Sequence, residues 1–278
     1  MIALKDKILT SGDSWTAGTA TRAPKTGKVS WLDHDSTADN NTSNNHKVNP
    51  MFNSMFPLWS EIIADKMNMD YINLGCGGRG NQWIYDRVVD NWDGEKIVMV
   101  LWSGFDRWDF CRETICMNLL RGYKSFENIQ TQTKERRIKV FNALNEEGLI
   151  DNWYDIQKSM RIIHAFQNFC EVNNIQYIHA IPFHPILIGA GSGNLDLYKK
   201  TLKKFIELKS LNYIKEDHFI GFPIFREIGG FTMSDKLNRI DPEKKLRVDA
   251  PKDNHPNHEG HKVIADIYYE RYKKLYKS

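Results

Sequence analysis

The chain has 278 residues, 41% of them hydrophobic, and a formal net charge of +3. That is enough apolar material for one large domain with its own core, and too little charge to argue for a nucleic-acid partner. No stretch approaches the ~20 consecutive apolar residues of a membrane span. The start, Met1-Ile2-Ala3-Leu4-Lys5, lacks the apolar core of a secretory signal. Cys76, Cys111, Cys116 and Cys170 have neither the density nor the paired spacing of a disulfide framework or a zinc site. These features predict a protein that is cytoplasmic at synthesis, with reduced thiols. The basic clusters at 134–139 and 271–274 fall in helix-like contexts and read as solvated faces.

Lys7-Ile8-Leu9-Thr10-Ser11 reads as a first strand, and the polar segment 19–56 as a long loop insertion. A helix is predicted over 58–67, opening at Pro57 as helices often do. Tyr71-Ile72-Asn73-Leu74 is a second strand, followed by a glycine-rich turn and a helix through Ile84 to Val89. The continuous apolar run from Lys96 to Trp102 predicts a strand buried on both faces. Residues 105–152 read as a polar, partly helical insertion, and 153–172 as an amphipathic helix. A fourth strand is predicted over 176–182, with helices over 195–211 and 257–275. Strands alternating with helices imply one mostly parallel sheet covered on both faces, with ligands beyond the carboxyl ends of the strands.

Three groups at those ends carry chemistry. Ser14 follows the first strand in Ser11-Gly12-Asp13-Ser14, and Asp253 and His255 stand just before the last helix. A serine hydroxyl needs a base to become a nucleophile, and that base needs a third group to fix its tautomer. Residues i and i+2 of an extended segment point to the same side, so an Asp253–His255 pair is feasible; Asp249 is the fallback carboxylate. The glycine turn Gly75-Cys76-Gly77-Gly78-Arg79-Gly80 fits a dinucleotide fingerprint at Gly75, Gly77 and Gly80, but the acidic residue that should end the next strand is missing there. The other use of such a turn is to present backbone N–H groups to a negative oxygen. Ser103-Gly104, ending the third strand, offers a further turn.

These blocks, Gly12-Asp13-Ser14, Asn73-x-x-x-x-Gly78, the turn at Gly104 and Asp253-x-His255-Pro256-Asn257-x-x-Gly260-His261, resemble those of the SGNH/GDSL hydrolase family in kind and in order. The resemblance spans nearly the whole chain. It implies a three-layer α/β/α, flavodoxin-like fold over residues 1–278, and hydrolysis or transfer of an ester-linked acyl group without a cofactor. By position it makes Ser14 the nucleophile, His255 the base, Asp253 its orienting carboxylate, and Ser14 and Gly78 the oxyanion donors. Two positions depart from the family's pattern. Phe105 stands where an Asn usually donates to the oxyanion, so Ser103, Asn81 or Arg107 would have to substitute. Lys252 stands where the carboxylate is usually found.

His255, His258 and His261 raise a metal reading, but no carboxylate or cysteine has ligand spacing to join them. The 19–56 loop carries Trp31, Trp92 precedes the third strand, and Trp102 and Trp108 flank the third turn. Aromatic faces beside the site suit sugar rings or acyl chains, and a carbohydrate O-acetyl ester is favoured over a lipid as substrate. The rival reading is a binding or structural module with weakened catalysis, serving in a larger assembly such as a virion.

Overall fold

The computed structural model describes residues 6–18, 56–110, 113–116, 131–149, 152–184, 195–249 and 253–277. The expected loop 19–56, including Trp31, and Lys252 therefore lie outside the described residues, apart from Phe56. Five strands form a parallel sheet: β1 (Lys7–Gly12), β2 (Asp70–Asn73), β3 (Ile97–Leu101), β6 (Gln176–Ala180) and β7 (Phe219–Ile220), in the order β2-β1-β3-β6-β7. This is the flavodoxin-like order, whose connections leave β1 in opposite directions and open a crevice between β1 and β3 at their carboxyl ends. Thr10 is in register with Asn73 on one side and Met99 on the other, and Gly12 is opposite Leu101.

The apolar run in β3 serves both faces of the sheet. Val98 and Val100 join the core under α3 (Asn81–Asn91), α5 (Asn152–Val172) and α6 (Leu195–Ile206). Ile97, Met99 and Leu101 join the core under α2 (Trp59–Met67), α7 (Met233–Ile240) and α8 (His258–Tyr276). Alternate residues of a strand face opposite ways, so a continuous apolar sequence is what a three-layer α/β/α sandwich requires of its middle strand. Across the second layer, Trp59 stacks on Tyr268 at 4.7 Å between centroids, and the Tyr268 hydroxyl donates to the Val100 carbonyl at 2.7 Å.

The elements differ from expectation in three places. β7 has only two residues, too short to show any periodicity, and α6 stops at Ile206 before a separate 3-10 turn over Lys209–Tyr213. The 105–152 insertion begins with an antiparallel hairpin, β4 (Arg107–Phe110) and β5 (Glu113–Cys116), before α4 (Thr131–Glu146). Ahead of the last helix, β8 (Arg247–Asp249) pairs antiparallel with β9 (Asp253–Pro256).

Candidate active site

Ser14 opens a single helical turn, α1 (Ser14–Ala17), at the carboxyl end of β1. Asp13 caps that turn: its Oδ1 accepts from the Trp15 N–H at 3.0 Å, and its carbonyl accepts from Thr16 and Ala17. Gly12 and Gly75 let the turn sit tight against its neighbours. A Cβ on Gly12 would strike Thr16 and the Leu101 carbonyl, and one on Gly75 would lie 2.7 Å from the Ala17 nitrogen.

His255 reaches Ser14 from β9, 241 residues away, with 2.7 Å between its Nε2 and Ser14 Oγ. On the same extended strand, Asp253 Oδ1 lies 2.6 Å from His255 Nδ1 and also accepts the His255 backbone N–H at 2.9 Å. With Nδ1–H donating to the carboxylate, Nε2 is left as the acceptor of the serine proton. Burial raises the Asp253 carboxyl, but the His255 side-chain and backbone donors outweigh it and hold the group below its ordinary value. Asp249, the fallback, is in register with Asp253 across the hairpin, and the carboxylate on His255 is that of Asp253.

The hairpin is fixed by Arg247, which sequence reasoning did not single out, and by Asn257 of the C-terminal block. Arg247 is 5% exposed and donates to the Asn254 carbonyl at 3.0 Å, to Ser234 Oγ at 2.9 Å and to Asn238 Oδ1 at 3.1 Å. Its guanidinium covers Trp15 at 5.0 Å, and Trp15 lies 6.5 Å from the His255 ring and 6.2 Å edge-on from Phe183. Asn257 caps α8 by accepting from Gly260 and donates back to the carbonyls of Lys245 and Arg247. The adjacency of Trp15 to Ser14 was visible in the sequence; Phe183, just past the end of β6, and Arg247, on β8, carry no local signal.

The glycine turn leaves β2 alongside β1, with the Cys76 N–H donating to the Gly12 carbonyl at 3.0 Å. Gly78 is exposed at its tip with φ +79° and open space at its Cβ position. The N-terminus of α3, where a pyrophosphate would bind in a dinucleotide site, is occupied by the Asp109 carboxylate. Its two oxygens accept from Gly80 and Trp83, each at 3.0 Å. Asn81 and Ser103 are brought together but face inward: Asn81 Oδ1 accepts the Ser103 N–H at 2.8 Å, and its amide points to the Ser103 carbonyl and Ser159 Oγ. The Ser103 hydroxyl is fully buried beside the Asp13 carboxylate without reaching hydrogen-bond geometry. Phe105 is 1% exposed and belongs to the core.

The three histidines diverge. His258 stacks on Phe56 at 5.6 Å, and His261 is buried with its Nδ1 accepting the Trp59 N–H at 3.2 Å. Among the described residues no group of three or more His, Cys, Asp or Glu could hold a metal ion, and no helix is long and apolar enough to cross a membrane. Two expected sugar-facing tryptophans pack into or against the core: Trp102 is fully buried with its indole N–H on His179, and Trp92 is half-buried and packs edge-on against Phe169. Trp108 is half-buried, its indole N–H on Asp155 and its ring under the Lys158 amine.

No protein-family model and no curated protein matches the chain. Among solved structures it is similar to a GDSL-like lipase from Parabacteroides merdae (15% identity, 97% of each chain covered, TM-score 0.46). It is also similar to a catalytic mutant of an acetylxylan esterase from Geobacillus stearothermophilus (12% identity, 97% of this chain and 95% of that one, TM-score 0.43). A third likeness is to a member of the lipolytic G-D-S-L family from Veillonella parvula (10% identity, 98% of each chain, TM-score 0.39).

Proposed function

We propose that the protein is an SGNH-type serine hydrolase that cleaves an ester-linked acyl group. The observation that supports this reading is the continuous chain from Asp253 through His255 to Ser14, with spacings of 2.6 and 2.7 Å. His255 Nε2 takes the Ser14 proton as Oγ bonds to the carbonyl carbon and the carbonyl π pair moves onto oxygen. Asp253 holds the imidazolium that forms. The N–H groups of Ser14 and Gly78 are the donors assigned to the negative oxygen. Collapse breaks the ester C–O bond, and His255 returns its proton to the leaving alcohol. Water then repeats the sequence on the acyl-serine and regenerates Ser14 with release of the acid.

For the substrate we infer a short acyl ester of a carbohydrate. Trp15 is 3% exposed and Phe183 meets it edge to face, so the wall beside Ser14 and His255 is aromatic and close. Such a wall suits an acetyl group on a ring better than a long chain.

The test is covalent labelling of the protein with a fluorophosphonate, together with release of nitrophenol from its acetate ester. Labelling and turnover in wild type, both lost in Ser14→Ala, are expected. A folded wild type that neither labels nor turns over would overturn the reading and leave the binding-module alternative.

A further inference from the structure

Arg107 places its guanidinium between the loop that carries Ser14 and the glycine turn that carries Gly78. It opens β4, whose alternate residues Arg107 and Asp109 both engage the glycine turn: Asp109 accepts from Gly80 and Trp83, and Arg107 Nη1 donates to the Arg79 carbonyl at 3.1 Å. The intervening Trp108 is bonded to Asp155 on α5, and the Lys158 amine donates to the Arg107 carbonyl at 3.2 Å. The strand is thus fastened from both sides, which fixes where the guanidinium stands.

On the serine side, Nη1 lies 3.5 Å from Asp13 Oδ2, the residue before Ser14. That oxygen has no partner with hydrogen-bond geometry, so the contact is an ion pair whose N–H bonds aim elsewhere. The guanidinium lies over the Phe183 ring at 5.6 Å, and Phe183 meets Trp15 beside His255. A guanidinium has five N–H donors, and both polar contacts of this side chain among the described residues are made by Nη1. The other groups that could serve here face inward: the Asn81 amide and the Ser103 N–H are bonded between those two residues, and the Ser103 hydroxyl is fully buried beside Asp13.

Building on the hydrolase reading, we propose that Arg107 is a further catalytic residue, donating an N–H to the oxygen that becomes negative when Ser14 attacks. It supplies a cation where the neutral donors of Asn81 and Ser103 are turned away. The ion pair with Asp13 keeps the guanidinium in place and compensates its charge before substrate binds. As the carbonyl oxygen gains charge, its unused N–H groups acquire an acceptor, so the interaction is made in the transition state rather than in the ground state.

The experiment compares wild type, Arg107→Lys and Arg107→Met on nitrophenyl acetate, with thermal midpoints recorded and inhibition by a boronic acid, which forms an anionic tetrahedral adduct with Ser14. The expected result for Arg107→Met is a kcat lower by about 10²–10³ at nearly constant KM. Boronate affinity should weaken in step with kcat/KM. Arg107→Lys, which keeps the charge and the Asp13 pair, should fall between the two and remain folded. A purely structural role would lower the thermal midpoint without a matching loss of boronate affinity in the variant that stays folded, and would overturn the proposal. So would an active wild type whose Arg107→Lys and Arg107→Met variants retain kcat within about threefold, which leaves the hydrolase reading intact. A wild type that neither turns over nor labels at Ser14 overturns both.

Discussion

The Asn73 side-chain amide donates to the Thr16 carbonyl at 2.8 Å, joining the end of β2 to the helical turn that carries Ser14. The same amide donates to Ser60 Oγ at 3.2 Å, and its oxygen accepts the Gly75 N–H at 2.9 Å. One side chain therefore sets the serine turn, the start of the glycine turn and helix α2 relative to one another. Asn73→Ala leaves three partners without it, of which Thr16 and Ser60 are fully buried. It should lower stability by about 1–3 kcal/mol and reduce kcat, because the Ser14 turn and the Gly78 turn lose their common tie. Urea unfolding followed by steady-state kinetics checks both; unchanged values in both would show that the tie is dispensable.

Gly75 offers a sharper contrast. Its Cβ would fall 2.7 Å from the Ala17 nitrogen and 2.8 Å from the Thr16 carbonyl carbon, which is backbone that cannot swing aside. Gly94 has a left-handed φ of +90° but nothing near its Cβ position. Gly94→Ala should cost about 1–2 kcal/mol of local strain with turnover intact. Gly75→Ala should cost more and cut kcat at least tenfold, since the turn that must move is the one bearing Ser14. Equal kinetic effects of the two substitutions would remove the link between Gly75 and the serine.

What could be read from the sequence was whatever has a local cause. The run from Lys96 to Trp102 announces a doubly covered strand because both of its faces are apolar, and β3 is that strand. The i, i+2 pairing of Asp253 and His255 was legible because extended geometry alone places them on one side, and β9 is extended. What escaped depends on distant partners. Two-residue β7 exists because His179 and Ala180 offer it a place in the sheet. The β8–β9 hairpin is held by Arg247 reaching Ser234 and Asn238, neither of which is near in sequence. Trp102 and Trp92 misled for the same reason: nothing local says whether a tryptophan beside a strand end faces a crevice or the core, and α5 covers both through Phe166 and Phe169.

Phe183 is the residue expected to set acyl length. It packs edge-on to Trp15 in the inferred aromatic wall, and its ring edge is 3.3 Å from where a Gly104 Cβ would stand. Wild type should prefer acetate over hexanoate nitrophenyl esters. Phe183→Ala opens that wall and should shift kcat/KM toward hexanoate by about tenfold or more, in line with the 1–3 kcal/mol that a methylene step in an apolar pocket commands. If wild type already turns over hexanoate as fast as acetate, neither the short-acyl reading nor the Phe183 assignment survives.

His261 should make stability pH-dependent well above the range in which carboxylates titrate. The ring is 1% exposed, and its Nδ1 accepts the Trp59 N–H that opens α2, so the neutral form is built into the fold. Burial, with smaller contributions from His255 and His258, pushes it down to about 3. In the unfolded chain it titrates near the ordinary ~6.5. Between those values the unfolded state binds a proton that the folded state refuses, so stability rises with pH there and is lost as pH falls below about 6.5. From pH 7.5 to 5.0 the loss from this residue is about 2 kcal/mol. His179, buried between Trp102 and Gln167 and likewise held well below its ordinary value, acts in the same direction. His261→Asn, which keeps an acceptor without a titrating ring, should be less stable than wild type at pH 7.5 yet lose about 2 kcal/mol less on acidification to pH 5.0. Urea midpoints of both proteins at the two pH values measure the difference, and parallel losses would show that His261 is protonated in the folded protein.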